Sequence, residues 1–170
     1  MRQLFSPDYY FAAVPEISPG FLHENDIEGI ICDIDNTIVV WNNDELSDRY
    51  RDWFTMLLER GFEVCLISNG LNSRVEYFGR KLGVPAVGQA VKPLKRAFFE
   101  AGGKLEVEPE KIAVIGDQIF TDILGGNRAG FITILVDPID RKEFFLTRFM
   151  RLFEKPLFNR DCTERMGGTK

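Results

Sequence analysis

Four short apolar runs, nearly continuous and rich in β-branched residues, set the terms on which this chain can fold: GIICDID (29–35), EVCLISN (63–69), KIAVIGD (111–117) and ITILVDP (132–138). Runs that do not alternate with polar residues fit strands buried on both faces, as in a parallel sheet. VPAVGQ (84–89) is a weaker fifth. Parallel neighbours need long crossovers, and helix-like segments lie between the runs. LSDRYRDWFTMLLERG (46–61) places Leu46, Tyr50, Trp53, Phe54 and Leu57 at helical spacing, with Ser47 as an N-cap and Gly61 as a stop. SRVEYFGRKLG (73–83) ends at a glycine, PLKRAFFEAGG (93–103) starts at a proline and ends at a glycine pair, and FTDILGGNRAG (120–130) is a shorter candidate. The alternation predicts an α/β fold: one Rossmann-like domain with a central parallel sheet of about five strands and helices on both faces.

Composition narrows the class. The 170 residues suit one domain, and 45% apolar with 28% charged residues describes a globular chain, not a disordered one. The apolar runs fall far short of a membrane span, and the N-terminus lacks the features of a signal peptide. Cys32 and Cys65 sit inside strand-like runs and read as core residues of a reducing, cytoplasmic compartment. Net charge is −5, unevenly placed: residues 141–170 hold eight Lys or Arg against four Asp or Glu, leaving the other 140 residues at −9. An acidic body with a basic end argues against nucleic-acid binding and permits contact with an anionic surface.

In open α/β sheets the ligand crevice lies outside the carboxyl ends of the strands. The polar residues there are Asp33 and Asp35, Ser68 and Asn69, and Asp117, with Lys92 a few residues beyond the weak strand. Unpaired buried carboxylates are costly, so a cation should hold this pair. Three carboxylates without a Cys or His cluster are hard oxygen ligands, which favour Mg2+ over zinc. Mg2+ with few protein ligands works on phosphate, and a lysine and a serine hydroxyl suit a phosphoryl group. A carboxylate can attack phosphorus, and a second, two residues on, can move the protons.

The series DIDNT, ISN, a lone lysine in VKP, then GDQIFTD resembles the four motifs of the haloacid-dehalogenase phosphatase superfamily, in order and at fitting intervals over residues 27–138. The resemblance implies Asp33 as nucleophile and Asp35 as general acid/base. Ser68, with Asn69 and Thr37, would contact the substrate, and Lys92 would pair with Asp33 and the phosphoryl oxygens. Mg2+ would be held by Asp33, Asp117 and the Asp35 backbone carbonyl, with Asp122 orienting the metal shell. The stretches between Asp35 and Ser68 and between Asn69 and Lys92 leave no room for a cap domain, so the chain resembles the capless subclass IIIA. More narrowly, SPDYYFAAVPEI and GDQIFTDILGGNRAG are similar to the YqeG family, related to the mitochondrial phosphatidylglycerophosphate phosphatases. That implies a phosphorylated substrate, phosphatidylglycerophosphate being favoured, and an enzyme peripheral to the inner face of a membrane.

Plainer readings stand beside these. Ser68 and Asn69 also suit a helix cap, and Lys95 and Arg96 rival Lys92. GGNRAG (125–130) lacks the spacing of a dinucleotide fingerprint. His23 reads as structural, and Asp44 and Glu45 as a solvated loop or helix start rather than extra ligands. Residues 1–26 form an extension whose aromatics Phe5, Tyr9, Tyr10 and Phe11 pack on the C-terminal region or join it at a membrane. Residues 139–160 read as an amphipathic helix with Phe145, Phe149, Leu152 and Phe153 on one face, flanked by Arg148, Arg151 and Lys155. It suits either packing on the sheet or lying on an anionic membrane. Residues 161–170 read as a mobile tail. Two rival functions stay open: a phosphatase of a soluble metabolite or phosphoprotein, and a non-catalytic phosphoacceptor or binding module.

Overall fold

The structure is a computed structural model that describes residues 3–41 and 43–140. The amphipathic segment at 141–160, Cys162 and the tail lie outside the described residues. Six strands form one sheet: β1 (Tyr9–Phe11), β2 (Gly29–Asp33), β3 (Glu63–Ile67), β4 (Ala86–Val87), β5 (Ile112–Gly116) and β6 (Ile132–Val136). All pairs are parallel and the order is β1-β6-β5-β2-β3-β4. The helices are α1 (Pro19–Glu24), α2 (Asp48–Glu59), α3 (Asn72–Leu82), α4 (Lys95–Gly102) and α5 (Leu124–Ala129). From β2 the chain winds outward through β3 and β4, then returns to the other side of β2 with β5. The order therefore reverses between β2 and β5, which is where such folds bind ligands.

The continuous apolar runs are explained by burial on both faces. Ile30 and Cys32 of β2, Val64 and Leu66 of β3, and Ala113 and Ile115 of β5 join Trp53, Phe54, Leu57, Val75 and Phe78 in one core layer. The alternate residues Ile31, Cys65, Ile67 and Val114 face the other way, onto Ala97, Phe98, Ala101 and Phe131. Burial pushes the Cys32 thiol well above its ordinary range and the Cys65 thiol up to about 12, as expected of inert core cysteines.

The structure corrects several boundaries. Strands end one or two residues before the ends of their runs, so Asp33 closes β2 while Asp35, Ser68, Asn69 and Asp117 stand on loops. Ser47 occupies the N-cap of α2, but its side chain makes no capping bond; its carbonyl receives the Tyr50 and Arg51 amides at 3.1 Å instead. Pro93 does not open α4, which starts at Lys95. The N-terminal aromatics supply a sixth strand. Tyr9–Phe11 pair with Ile134–Val136, Tyr9 Oη donates to Asn25 Oδ1 at 2.6 Å, and the Tyr9 and Phe11 rings meet Phe21 edge-on. His23, in the last turn of α1, rests against the Phe62 ring at 4.8 Å. No helix among the described residues is long and apolar enough to cross a membrane.

The GGNRAG segment forms the short helix α5. A Cβ on Gly125 would overlap the Phe98 ring, and one on Gly126 would press into Thr133 and Val114. The glycines seat α5 against its neighbours. Gly125→Ala is expected to destabilise the fold by about 1–3 kcal/mol through overpacking, seen as a fall of several degrees in Tm by calorimetry. An unchanged Tm would mean that Phe98 yields without cost.

Candidate active site

The crevice is built where β2 and β5 end. Asp33 is the last residue of β2, and a tight turn follows in which the Ile38 and Val39 amides donate to Ile34 O and the Asn36 amide donates to Val39 O. Ile34 is buried in the core, so its neighbours Asp33 and Asp35, two residues apart, project toward the rim. Asp117 follows β5 directly. A π-helical turn, Ile119–Ile123, then brings Asp122 back over the strand end. A Cβ on Gly116 would collide with the Asp122 carboxyl, so the close pass needs glycine there.

Lys92 lies at the centre. Its Nζ donates to Asp33 Oδ1 at 2.6 Å and to Asp122 Oδ1 at 2.5 Å, and all three side chains are almost wholly buried. Geometry thus selects Lys92 over Lys95 and Arg96, which lie exposed on α4. The loop is held from behind: Asn69 Oδ1 accepts from the Lys92 amide at 2.7 Å. Asp122 Oδ2 accepts from the Gln118 amide at 3.2 Å. Thr37 Oγ1 stands 3.2 Å from both Asp33 Oδ2 and Asp117 Oδ1, where its hydroxyl proton bridges the two carboxylates.

Asp35 has other company. Ser68 Oγ donates to Asp35 Oδ2 at 2.9 Å and accepts the Gly70 amide at 2.9 Å. α3 begins only at Asn72, so Ser68 and Asn69 are not its caps. Arg74 of α3 donates through Nη1 to Asp35 Oδ1 at 2.5 Å, through Nε to Asp44 Oδ1 at 3.2 Å and through Nη2 to Asn43 O at 2.8 Å. Its guanidinium lies over the Phe78 ring. Sequence reading missed Arg74: it sits among other polar residues on an ordinary helix, and nothing in its spacing marks it. Asp44, read as a solvated loop residue, is its second partner.

The electrostatics of the inner group are unbalanced. Asp33, Asp117 and Asp122 can each place a carboxylate oxygen within 4.8 Å of the others, all buried. With Lys92 charged, three ionised carboxylates leave a local charge of −2. Burial alone would lower Lys92, but Asp122 and Asp33 outweigh it and hold the ammonium above its ordinary value. Burial pushes Asp33 up to about 7 although Lys92 opposes the rise, with Asp122 and Asp35 adding to it. The lysine is therefore a firm cation, and the excess negative charge falls on the carboxylates. A proton can relieve it, and so can a divalent metal; hard, buried oxygen donors fit Mg2+.

A parallel sheet with an acidic, lysine-centred crevice at its switch point defines an α/β enzyme site. Residues 18–130 match the family described as haloacid dehalogenase-like hydrolase. Probable phosphatase YqeG of Bacillus subtilis (strain 168) is 39% identical over 159 residues, covering 94% of this chain and 92% of that protein. Phosphatidylglycerophosphate phosphatase 1, chloroplastic/mitochondrial, of Arabidopsis thaliana is 27% identical over 94% of this chain but only 49% of its own length, so the chain spans about half of that relative. NagD from E. coli K-12 shares the fold, with a TM-score of 0.54 at 14% identity over 65% of this chain and 87% of that one. The chain belongs to the haloacid dehalogenase-like hydrolases, as its four motifs led one to expect.

Asp33 gives a pH-dependent expectation. Its folded pKa lies above the ordinary 3.8, so the stability linked to it is complete below about pH 4 and is lost as pH rises through about 7. A Mg2+ ion held by Asp33 would compete with that proton. The rise in Tm produced by Mg2+ should be large at pH 8, and the apparent affinity should fall about tenfold by pH 6. Thermal titrations at the two pH values check this, and equal affinities would detach the metal from Asp33.

Proposed function

We propose that this chain is a Mg2+-dependent phosphomonoester hydrolase that works through an aspartyl-phosphate on Asp33, with phosphatidylglycerophosphate as the favoured substrate. The observation that carries the reading is the buried Asp33–Lys92–Asp122 arrangement, with Asp117 and Asp35 on the same rim. Asp33 and Asp117, with the Asp35 main-chain carbonyl, would hold the metal, which supplies charge neutralisation to the transferring phosphoryl group.

Asp33 attacks phosphorus; the Asp33–phosphorus bond forms as the ester oxygen leaves. Asp35 gives that oxygen its proton. A water then attacks the aspartyl-phosphate, Asp35 takes the water's proton, and phosphate departs with the Asp33 carboxylate restored. Lys92 keeps Asp33 aimed and meets the negative phosphoryl oxygens. Asp122 fixes the lysine from the far side, while Thr37 braces Asp33 against Asp117. Ser68 holds Asp35 in the free site, and its hydroxyl would turn to donate to the phosphate once substrate is bound. Asn69 contributes by anchoring the Lys92 backbone at the substrate's edge. Arg74 keeps Asp35 in line and ties the 43–44 loop to α3.

The lipid substrate is supported by the name of the Arabidopsis relative. It is supported also by short connections around the crevice, residues 34–47, 68–71 and 88–94. The deciding experiment is hydrolysis of a phosphomonoester panel with and without Mg2+, including the lipid phosphate in detergent micelles. Turnover of soluble esters alone would overturn the lipid assignment.

Asp33→Asn should abolish turnover while the protein stays folded, since an amide is no anionic nucleophile. Near wild-type hydrolysis by that variant would remove Asp33 from its role. Asp35→Ala should slow turnover of a substrate with a poor leaving group by about 10²–10⁴-fold, with enzyme-bound phosphate accumulating in a quench experiment. A loss under about threefold would contradict the proton-transfer role.

A further inference from the structure

The rim of the crevice carries an apolar patch that the chemistry at Asp33 does not use. Leu71 is 68% exposed, Val91 63% and Leu94 52%. Scattered exposed leucines need no explanation. These three stand on the loops that follow β3 and β4, neighbouring strands of the sheet. The loops are laced together. The Gln89 amide donates to Gly70 O at 2.9 Å and the Ala90 amide to Ser68 O at 3.1 Å, while within the second loop the Leu94 amide donates to Val91 O at 3.0 Å. The patch therefore rides on the backbone that positions Ser68 and Lys92.

Two further observations mark it. Val91 has φ +50, a left-handed conformation that a β-branched residue rarely adopts, and it gains no burial in return. Strain of this kind gathers where a surface has a task. The next exposed residues after Leu94 are Lys95 and Arg96. A cleft of about 290 Å³ opens beside them, with Val91, Leu94, Arg96 and Glu100 in its wall. Exposed aliphatic side chains flanked by a basic pair have the pattern of a surface that enters an anionic interface.

We propose that this rim docks on an anionic phospholipid bilayer, with Leu71, Val91 and Leu94 entering the headgroup region and Lys95 and Arg96 meeting lipid phosphates. The inference rests on the lipid-phosphate reading above. It names the surface that brings the crevice to its substrate. A bilayer fits because its phosphates lie at one level beside its apolar interior, and the rim sets its basic pair beside its aliphatic side chains. The crevice in which Lys92 is buried would then open toward the headgroups.

The test uses the full chain and vesicles of phosphatidylcholine with or without phosphatidylglycerol. Leu71→Ser/Leu94→Ser and Lys95→Glu/Arg96→Glu should each weaken co-sedimentation with the anionic vesicles by roughly tenfold or more. Both should leave hydrolysis of p-nitrophenyl phosphate unchanged, which also reports that they fold. A fluorophore on Leu71→Cys, in a Cys162→Ser background, should shift to the blue with anionic vesicles and stay put with neutral ones. No binding by the wild type, equal binding to both vesicles, variants that bind as well as wild type, or an unshifted probe would each overturn the proposal. Binding is read without turnover. A chain that docks through this rim yet hydrolyses no phosphomonoester would overturn the enzyme reading and leave the docking surface standing.

Discussion

Lys92 joins Asp33 and Asp122 across separations of 59 and 30 residues in sequence, in a place almost closed to water. Each group is untenable there alone. A buried ammonium without partners would lose its proton, and two buried carboxylates without the lysine would repel each other. Together they fix three parts of the chain: the end of β2, the loop after β4 and the turn after β5. Such a cluster is weak evidence for stability, since a well-packed apolar set often does as well. Its value lies in what it holds ready: an oriented carboxylate, a firm cation, and negative charge still to be neutralised.

The two carboxylates of the DIDNT run live in different surroundings, although one residue separates them. Asp33 is buried against a lysine and two further acids. Asp35 stands nearer the solvent, where a serine hydroxyl and a guanidinium grip it. One run thus places its two carboxylates in unlike environments, as the proposed roles of nucleophile and proton carrier require. The turn at Ile34–Val39 and the close contacts of Ser68 and Arg74 produce that division.

The strand ends were legible because continuous apolar runs announce buried parallel strands, and such strands present their polar ends on one rim. That logic places Asp33, Asp35, Ser68 and Asp117 at one rim, and the strand ends lie there. It favours Lys92 but keeps Lys95 and Arg96 as rivals, since only the path of the 88–94 loop decides which side chain turns inward. Arg74 was illegible because it acts across a crevice, from an ordinary helix, on residues 30 and 39 positions away. Tyr9–Phe11 is too short to show a strand period, and its pairing partner β6 lies at the far end of the described chain. The glycine pair of α5 could be cleared of dinucleotide binding by spacing, but its packing reason required Phe98 to be in place.

The loop after β4 links chemistry to surface. Gln89 and Val91 both adopt left-handed backbone conformations, and the Lys92 amide is pinned by Asn69. Within four residues the chain sends Val91 outward, Lys92 into the acidic centre and Leu94 outward again. A loop free to relax would release the valine from its disfavoured conformation and take the lysine with it. The ion cluster prevents that, because withdrawing Lys92 would strand two buried carboxylates. The electrostatic cost of withdrawing Lys92 therefore ties the shape of the outer surface to the charged site beneath it.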